Sequence, residues 1–174
     1  MFKKIFFIVC LIILTYGCGK KYKTIFTETL VVDNKYKQHE DTVLIDSIRP
    51  VLFSRLYRPN SFGMRTAYQV PTESQGKKIY VVVSGRSRNN YAHSNAVIVV
   101  VTHNAKKEQL SWDFIRMKYQ YTEVNYWCNF KDSLKLPPNF YGKEYNLITV
   151  MAHLPEGVEK FDLEGLKVEI KEDL

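Results

Sequence analysis

The sequence lacks the short motifs that mark common catalytic sites. It contains no Gly-x-Ser-x-Gly elbow, no His-Glu-x-x-His zinc motif and no glycine-rich phosphate loop. The carboxylate pairs Glu40-Asp41 and Glu172-Asp173 are typical of solvated strand ends. Four histidines are scattered along the chain: His39, His93, His103 and His153. These absences argue against an enzyme, and we expect a non-catalytic protein.

Blocks of like charge are also missing. The chain has 25 basic and 18 acidic residues, and no run of five or six carries one sign. A nucleic-acid partner is therefore not expected, because such proteins concentrate positive charge on one face.

No apolar run is long enough to cross a bilayer. The longest, Ile5 to Leu14, has ten residues, whereas a spanning helix needs about 20. It follows Met1-Phe2-Lys3-Lys4 and precedes the small residue Gly17, which is the layout of a secretory signal. We therefore expect residues 1–17 to be removed on export.

The end of this segment, Leu14-Thr15-Tyr16-Gly17-Cys18, resembles the lipobox of bacterial lipoproteins. The resemblance implies that the Cys18 thiol takes a diacylglycerol, that the signal is cut before Cys18, and that the new amine is acylated. Tyr16 departs from the small residue usual at that place, and an ordinary secreted protein cut nearby is the alternative. Several lipid chains would hold the protein stably on a membrane.

Residues 18–23 form a short tether rich in lysine. Its reach is at most ~20 Å, so the following domain, residues 24–174, would lie close to the membrane. The lysines either favour anionic headgroups or form a solvated linker. Some cell-surface lipoproteins carry acidic residues after the cysteine. The basic tether here favours a lipid-anchored location in the cell envelope that faces the periplasm.

Cysteine is too scarce for an internal disulfide. Of the three cysteines, Cys10 leaves with the signal and Cys18 carries lipid, so Cys128 stands alone. The mature chain of 157 residues must therefore be held by its hydrophobic core, and this length suits one domain. We expect Cys128 to be a buried small apolar residue, with a reactive thiol as the alternative.

The mature chain is typical of an all-β protein. Val, Ile, Thr, Tyr and Phe dominate its apolar runs, and turn signals separate them at regular spacing. The pattern predicts an antiparallel β-sandwich. The predicted strands are Thr24–Val32, Thr42–Ser47, Val51–Arg58, Thr66–Val70, Lys78–Ser84, Ala96–His103, Leu110–Lys118, Glu123–Phe130, Tyr145–Leu154 and Phe161–Lys171.

Three strands carry more specific predictions. Residues 79–83 and 96–101 are apolar on both faces, so they should lie centrally. In the last strand the apolar positions change from odd to even parity around Gly165. A change of parity reverses the buried face, so we expect a bulge or bend at Gly165.

From about Gly76 to Glu172 the chain resembles the jelly-roll sandwiches grouped as galactose-binding-like or carbohydrate-binding-module-like domains. The likeness lies in the order of the strand at 77–86, the strand at 96–101, Trp127-Cys128-Asn129-Phe130 followed by Leu134 to Pro137, and the closing strand at 161–170, where the family usually has an aspartate in place of Glu164. The resemblance implies a jelly roll. Such domains often bind glycans, but many only pack against a partner.

Glycan binding requires exposed aromatic rings with planar polar side chains nearby. We expect Trp127 and Trp112 to be core residues, the latter because it alternates with Leu110 and Phe114. The predicted ligand-binding residues instead lie in two loops, with a solvated turn as the alternative: Tyr91 with Arg86, Arg88, Asn89 and Asn90, and Tyr119 or Tyr121.

A cofactor is not expected. Some relatives of the resembled group hold a structural calcium ion, and oxygen ligands suit that cation. Possible donors are Glu28, Asp33, Asp162 and Glu164, which do not form a compact calcium loop.

Two functions remain open. The first is a membrane-anchored lipoprotein whose jelly roll binds envelope glycan or oligosaccharide. The second is an adaptor that docks a protein of the bacterial envelope and binds no sugar. The loop aromatics favour the first, and a broad exposed apolar patch would favour the second.

Overall fold

A computed structural model describes residues 21–31, 42–45, 52–57, 61–91, 94–117, 124–136, 146–155 and 160–174. Over these residues the chain forms ten strands and one short 3₁₀ turn at Thr72–Ser74, and it has no helix long and apolar enough to cross a membrane. The strands are β1 (Tyr22–Val31), β2 (Thr42–Ile45), β3 (Leu52–Leu56), β4 (Phe62–Gln69), β5 (Ile79–Asn89), β6 (Val97–His103), β7 (Gln109–Arg116), β8 (Cys128–Lys135), β9 (Leu147–His153) and β10 (Phe161–Asp173).

The strands form two antiparallel sheets. The six-stranded sheet has the order β2-β3-β10-β5-β8, and β1 pairs with the C-terminal part of β10. The four-stranded sheet has the order β4-β9-β6-β7. A single core cluster contains buried residues of both sheets, such as Val83 and Leu166 of one and Ile98 and Val150 of the other. The predicted all-β, antiparallel sandwich is therefore confirmed.

The two strands that are apolar on both faces are central, as predicted. β5 lies between β10 and β8, and β6 lies between β9 and β7. All of Val97 to Thr102 is buried. A strand that is paired at both edges and covered on both faces contacts little water, so its residues are mostly apolar.

Three strands differ from the prediction by more than two residues at one end or both. β4 begins at Phe62 rather than Thr66. β8 covers Cys128–Lys135, so it starts later and ends later than predicted. β5 continues to Asn89, and the segment Arg86 to Asn89 is strand rather than loop. Its polar residues suggested an exposed loop in the sequence. In the fold, Arg86 and Arg88 instead form ion pairs with residues of β10.

The predicted bulge at Gly165 is confirmed. The pairing of β10 with β5 shifts between Leu163 and Gly165, which leaves Glu164 as the extra residue. Phe161 and Leu163 therefore face the core before the bulge, and Leu166 faces it after the bulge. The bulge brings the backbone of Gly165 against Gly85, where a Cβ atom would overlap the Gly165 carbonyl oxygen and approach the Phe130 ring to 3.1 Å.

Candidate functional site

The outer face of the four-stranded sheet, the side turned away from the core, carries a second apolar cluster. Val97, Val99 and Val101 of β6 form it with Met151 of β9. The pairing of the four strands places side chains of β4 and β7 on either side of these residues. The described outward positions are Phe62, Arg65, Ala67 and Gln69 of β4; Leu147, Thr149, Met151 and His153 of β9; Val97, Val99, Val101 and His103 of β6; and Gln109, Trp112, Phe114 and Arg116 of β7.

Two large aromatic side chains stand on β7 at the edge of this face. Trp112 is opposite Val101 and Phe114 is opposite Val99. Their exposed fractions are 43% and 41%, whereas Val99 is fully buried. The Trp112 ring lies 6.4 Å from the His153 ring at an angle of 90°, although β6 separates their strands. The indole therefore reaches across β6, and it covers apolar surface while keeping a broad part of itself in solvent.

A stacked pair of rings continues the aromatic surface towards β4. Phe62 and His153 are 4.2 Å apart between centroids, with an angle of 15° between their planes. His153 Nδ1 lies 3.1 Å from the carbonyl oxygen of Ser61, to which it can donate. Burial lowers the pKa of His153 from its usual 6.5, and the Ser61 carbonyl opposes this only in part. The ring is thus neutral at neutral pH, which suits a stacking surface.

The prediction that Trp112 is a core residue was wrong. The register of β7 against β6 shifts between Ser111 and Gln109, which makes Leu110 an extra residue. A bulge reverses the faces on its two sides. Leu110 therefore packs against the core, while Trp112 and Phe114 point outward although they share its parity in the sequence.

At the predicted loop site, the two asparagine side chains form hydrogen bonds within the protein. Asn89 holds the backbone of Tyr91 through both its amide nitrogen and its amide oxygen. Asn90 accepts a hydrogen bond from the Lys160 backbone N–H. Tyr91 itself is 53% exposed, so its ring is accessible, but the asparagines beside it brace the turn. Tyr119 and Tyr121 lie outside the described residues.

Arg86 and Arg88 lie on the outer face of the six-stranded sheet. Arg86 contacts Glu164 at 3.2 Å. Arg88 donates to Asp162 at 2.8 and 3.0 Å. Arg55 donates to the same carboxylate at 2.6 and 2.8 Å. Asp162 is only 3% exposed, so the resulting Arg55–Asp162–Arg88 triad ties three neighbouring strands together.

Trp127 covers this triad and is not a core residue, contrary to the prediction. It is half-buried and lies just before β8. Its ring meets the Phe53 ring at 5.6 Å, and the Arg88 guanidinium lies 4.8 Å from its centre. An indole ring is large enough to shield a buried ion group from water while its own edge remains exposed to solvent.

The candidate calcium ligands that the structure describes form bonds with other side chains. Glu28 accepts a hydrogen bond from the Thr66 hydroxyl, Asp162 binds Arg55 and Arg88, and Glu164 binds Arg86. Across the part of the chain that the structure describes, no three His, Cys, Asp or Glu residues come close enough to hold a metal ion. Asp33 lies outside the described residues, and Cys128 is a free, half-buried thiol on β8.

Fold and face define the chain as a two-sheet antiparallel sandwich with an aromatic outer face. No protein-family model and no curated protein matches the sequence. Among solved structures, the Gap123 glycosylation-associated complex of Streptococcus agalactiae is similar with 9% identity and a TM-score of 0.47, over 84% of this chain and 44% of that one. The present chain thus spans less than half of that protein.

Two further structures are similar over most of both chains. The xylan-binding domain CBM22-1 of Paenibacillus barcinonensis Xyn10C has 11% identity and a TM-score of 0.44, over 90% of this chain and 98% of that one. A chain of the accessory secretory protein complex of Streptococcus pneumoniae has 13% identity and a TM-score of 0.40, over 79% and 89%. Similarities at this level assign no function to the chain.

Proposed function

We propose that this chain is a lipid-anchored lipoprotein of the bacterial envelope that binds a glycan on the outer face of its four-stranded sheet. One observation supports the proposal above the others: Trp112 and Phe114 stand side by side on β7 with about two fifths of each side chain in solvent. Large aromatic side chains are normally buried, because each can remove 150–250 Å² from water. Rings left exposed on a rigid sheet are suited to a ligand.

The chemistry of the face fits a sugar. The C–H face of a pyranose ring is apolar and packs flat on an aromatic ring, while its hydroxyls require donors and acceptors at the rim. Residues two apart on a strand are separated by roughly 6.6 Å, which places Trp112 and Phe114 under neighbouring parts of one oligosaccharide. Gln109 and Thr149 are outward on the same sheet and supply hydrogen-bonding groups.

Replacing Trp112 tests the proposed face. We expect Trp112→Ala to weaken retention on a glycan array by about 30-fold or more, because a tryptophan at the centre of an interface often contributes at least 2 kcal/mol. The matched control is Tyr91→Ala, which removes an exposed ring at the predicted loop site instead. Affinity is measured by calorimetry with the best array hit, and melting temperature checks that both variants fold.

Each outcome separates the alternatives. Loss of binding in Tyr91→Ala but not in Trp112→Ala would move the site to the loop. A wild-type chain that retains no glycan at all would contradict the proposed function and favour a protein adaptor.

The lipid anchor is tested at Cys18. Because β1 begins at Tyr22, only three residues separate Cys18 from the first strand, and the sandwich would lie within about 14 Å of the acylated cysteine. We expect the wild-type chain to enter the detergent phase with the added mass of its acyl chains, and Cys18→Ala to lose both. Cys128→Ala is the control and should remain lipidated. Identical mass and fractionation of wild type and Cys18→Ala would refute the anchor.

A further inference from the structure

The outer face of the four-stranded sheet is positively charged. Its described outward positions include Arg65 and Arg116, and no Asp or Glu is among them. The chain as a whole has 18 acidic residues. Their absence from the described outward positions of this face therefore does not result from a low content of Asp and Glu.

The two arginines lie on the two edge strands of this face, Arg116 on β7 beside Phe114 and Arg65 on β4. The Arg116 guanidinium lies 4.7 Å from the centre of the Phe114 ring, which orients it. Arg65 is at the other edge of the sheet, in the cross-strand row that continues through Met151 and Val99 to Phe114. Four strands spaced 4.7–4.9 Å apart place the two edges of this row about 14 Å from each other. A ligand that lies on Phe114 and extends along this row across the sheet therefore begins beside Arg116 and ends at Arg65.

Neither arginine has a carboxylate partner in the described part of the chain. On the six-stranded sheet, by contrast, Arg55 and Arg88 bind Asp162, and Arg86 binds Glu164. The fold thus pairs the arginines of one face and leaves those of the other open to solvent. An unpaired guanidinium binds carboxylate, sulfate and phosphate groups through two parallel hydrogen bonds.

From this contrast we propose that the glycan is anionic: a saccharide that carries carboxylate, sulfate or phosphate groups, with its sugar rings on Trp112 and Phe114 and its charges on Arg116 and Arg65. The inference rests on the proposed function and names its substrate class.

Matched pairs of charged and neutral glycans test it. The probes are oligogalacturonate with its methyl ester, and dextran sulfate with dextran. We expect the wild-type chain to bind at least one charged probe at least tenfold more tightly than its neutral counterpart, with an affinity that falls as salt rises. The double variant Arg65→Gln/Arg116→Gln should lose this preference. Lys131→Gln/Lys135→Gln removes the same charge from exposed positions of β8 and should keep it.

The outcomes distinguish the inference from the function on which it rests. Equal affinity for charged and neutral glycans would overturn the anionic preference and leave glycan binding intact. No binding of either kind would overturn both. Equal losses in the two double variants, or binding to phosphatidylglycerol vesicles but to no glycan, would show attraction by bulk charge and would also overturn the inference.

Discussion

Asp162→Asn should lower the free energy of unfolding by about 3 kcal/mol. The Asp162 carboxylate is almost fully buried and is the common acceptor of Arg55 and Arg88. Removing its charge leaves two guanidiniums facing each other beneath Phe53 and Trp127. Breaking a buried ion group by removing one partner typically costs 3–5 kcal/mol. The lower end applies here because both arginines are about one fifth to one quarter exposed and can recover some water.

The control lies two residues along the same strand. Glu164 contacts Arg86 at 3.2 Å, and both side chains of this pair are more exposed than Asp162. Glu164→Gln should therefore change stability by less than about 1 kcal/mol, as for other solvated ion pairs. Urea denaturation of the two variants gives both numbers. Equal and small effects would show that the triad does not stabilise the fold.

Gly85→Ala should destabilise the protein by a similar amount, about 3 kcal/mol, through steric overlap. A Cβ atom at this position would collide with the backbone carbonyl of Gly165 and press on the Phe130 ring. A backbone oxygen in a paired strand cannot turn aside, so β5 and β10 must separate locally. Overpacking of this kind costs 1–3 kcal/mol and sometimes more.

Gly165→Ala is the matched control, since it adds the same methyl group on the facing strand. There the nearest atom to a Cβ is the Leu30 carbonyl oxygen at 3.4 Å, which is an ordinary contact. We expect a change below about 1 kcal/mol by urea denaturation. If Gly165→Ala lowered the stability more than Gly85→Ala, the result would contradict the close contact between Gly85 and the Gly165 carbonyl at the bulge.

Much of the fold follows from local pattern. Period-two alternation and β-branched residues locate the strands, and uninterrupted apolar runs identify β5 and β6 as central. The bulge in β10 was predictable because the change of parity on its two sides is visible in the sequence, and Gly165 marks it.

The candidate face could not be predicted in the same way. The bulge at Leu110 carries no glycine and no break in the apolar pattern, so Leu110, Trp112 and Phe114 resemble one buried stripe. The ion pairs of the β5 arginines could not be predicted for a different reason. Arg88 binds Asp162, which is 74 residues away, and no residue near Arg88 in the sequence indicates this ion pair. Only the assembled sheet shows which arginines are paired and which are open.

The two tryptophans provide the most direct test of the glycan-binding face, because they report on opposite sides of the sandwich. Trp112 is on the outer face of the four-stranded sheet, and Trp127 covers the triad on the other sheet. In Trp127→Phe, which leaves Trp112 as the only tryptophan, we predict that fluorescence changes saturably as oligosaccharide is added. In Trp112→Phe, the emission of Trp127 should stay constant. Saturable binding by Trp127→Phe with no change in Trp112 emission would contradict the proposed site.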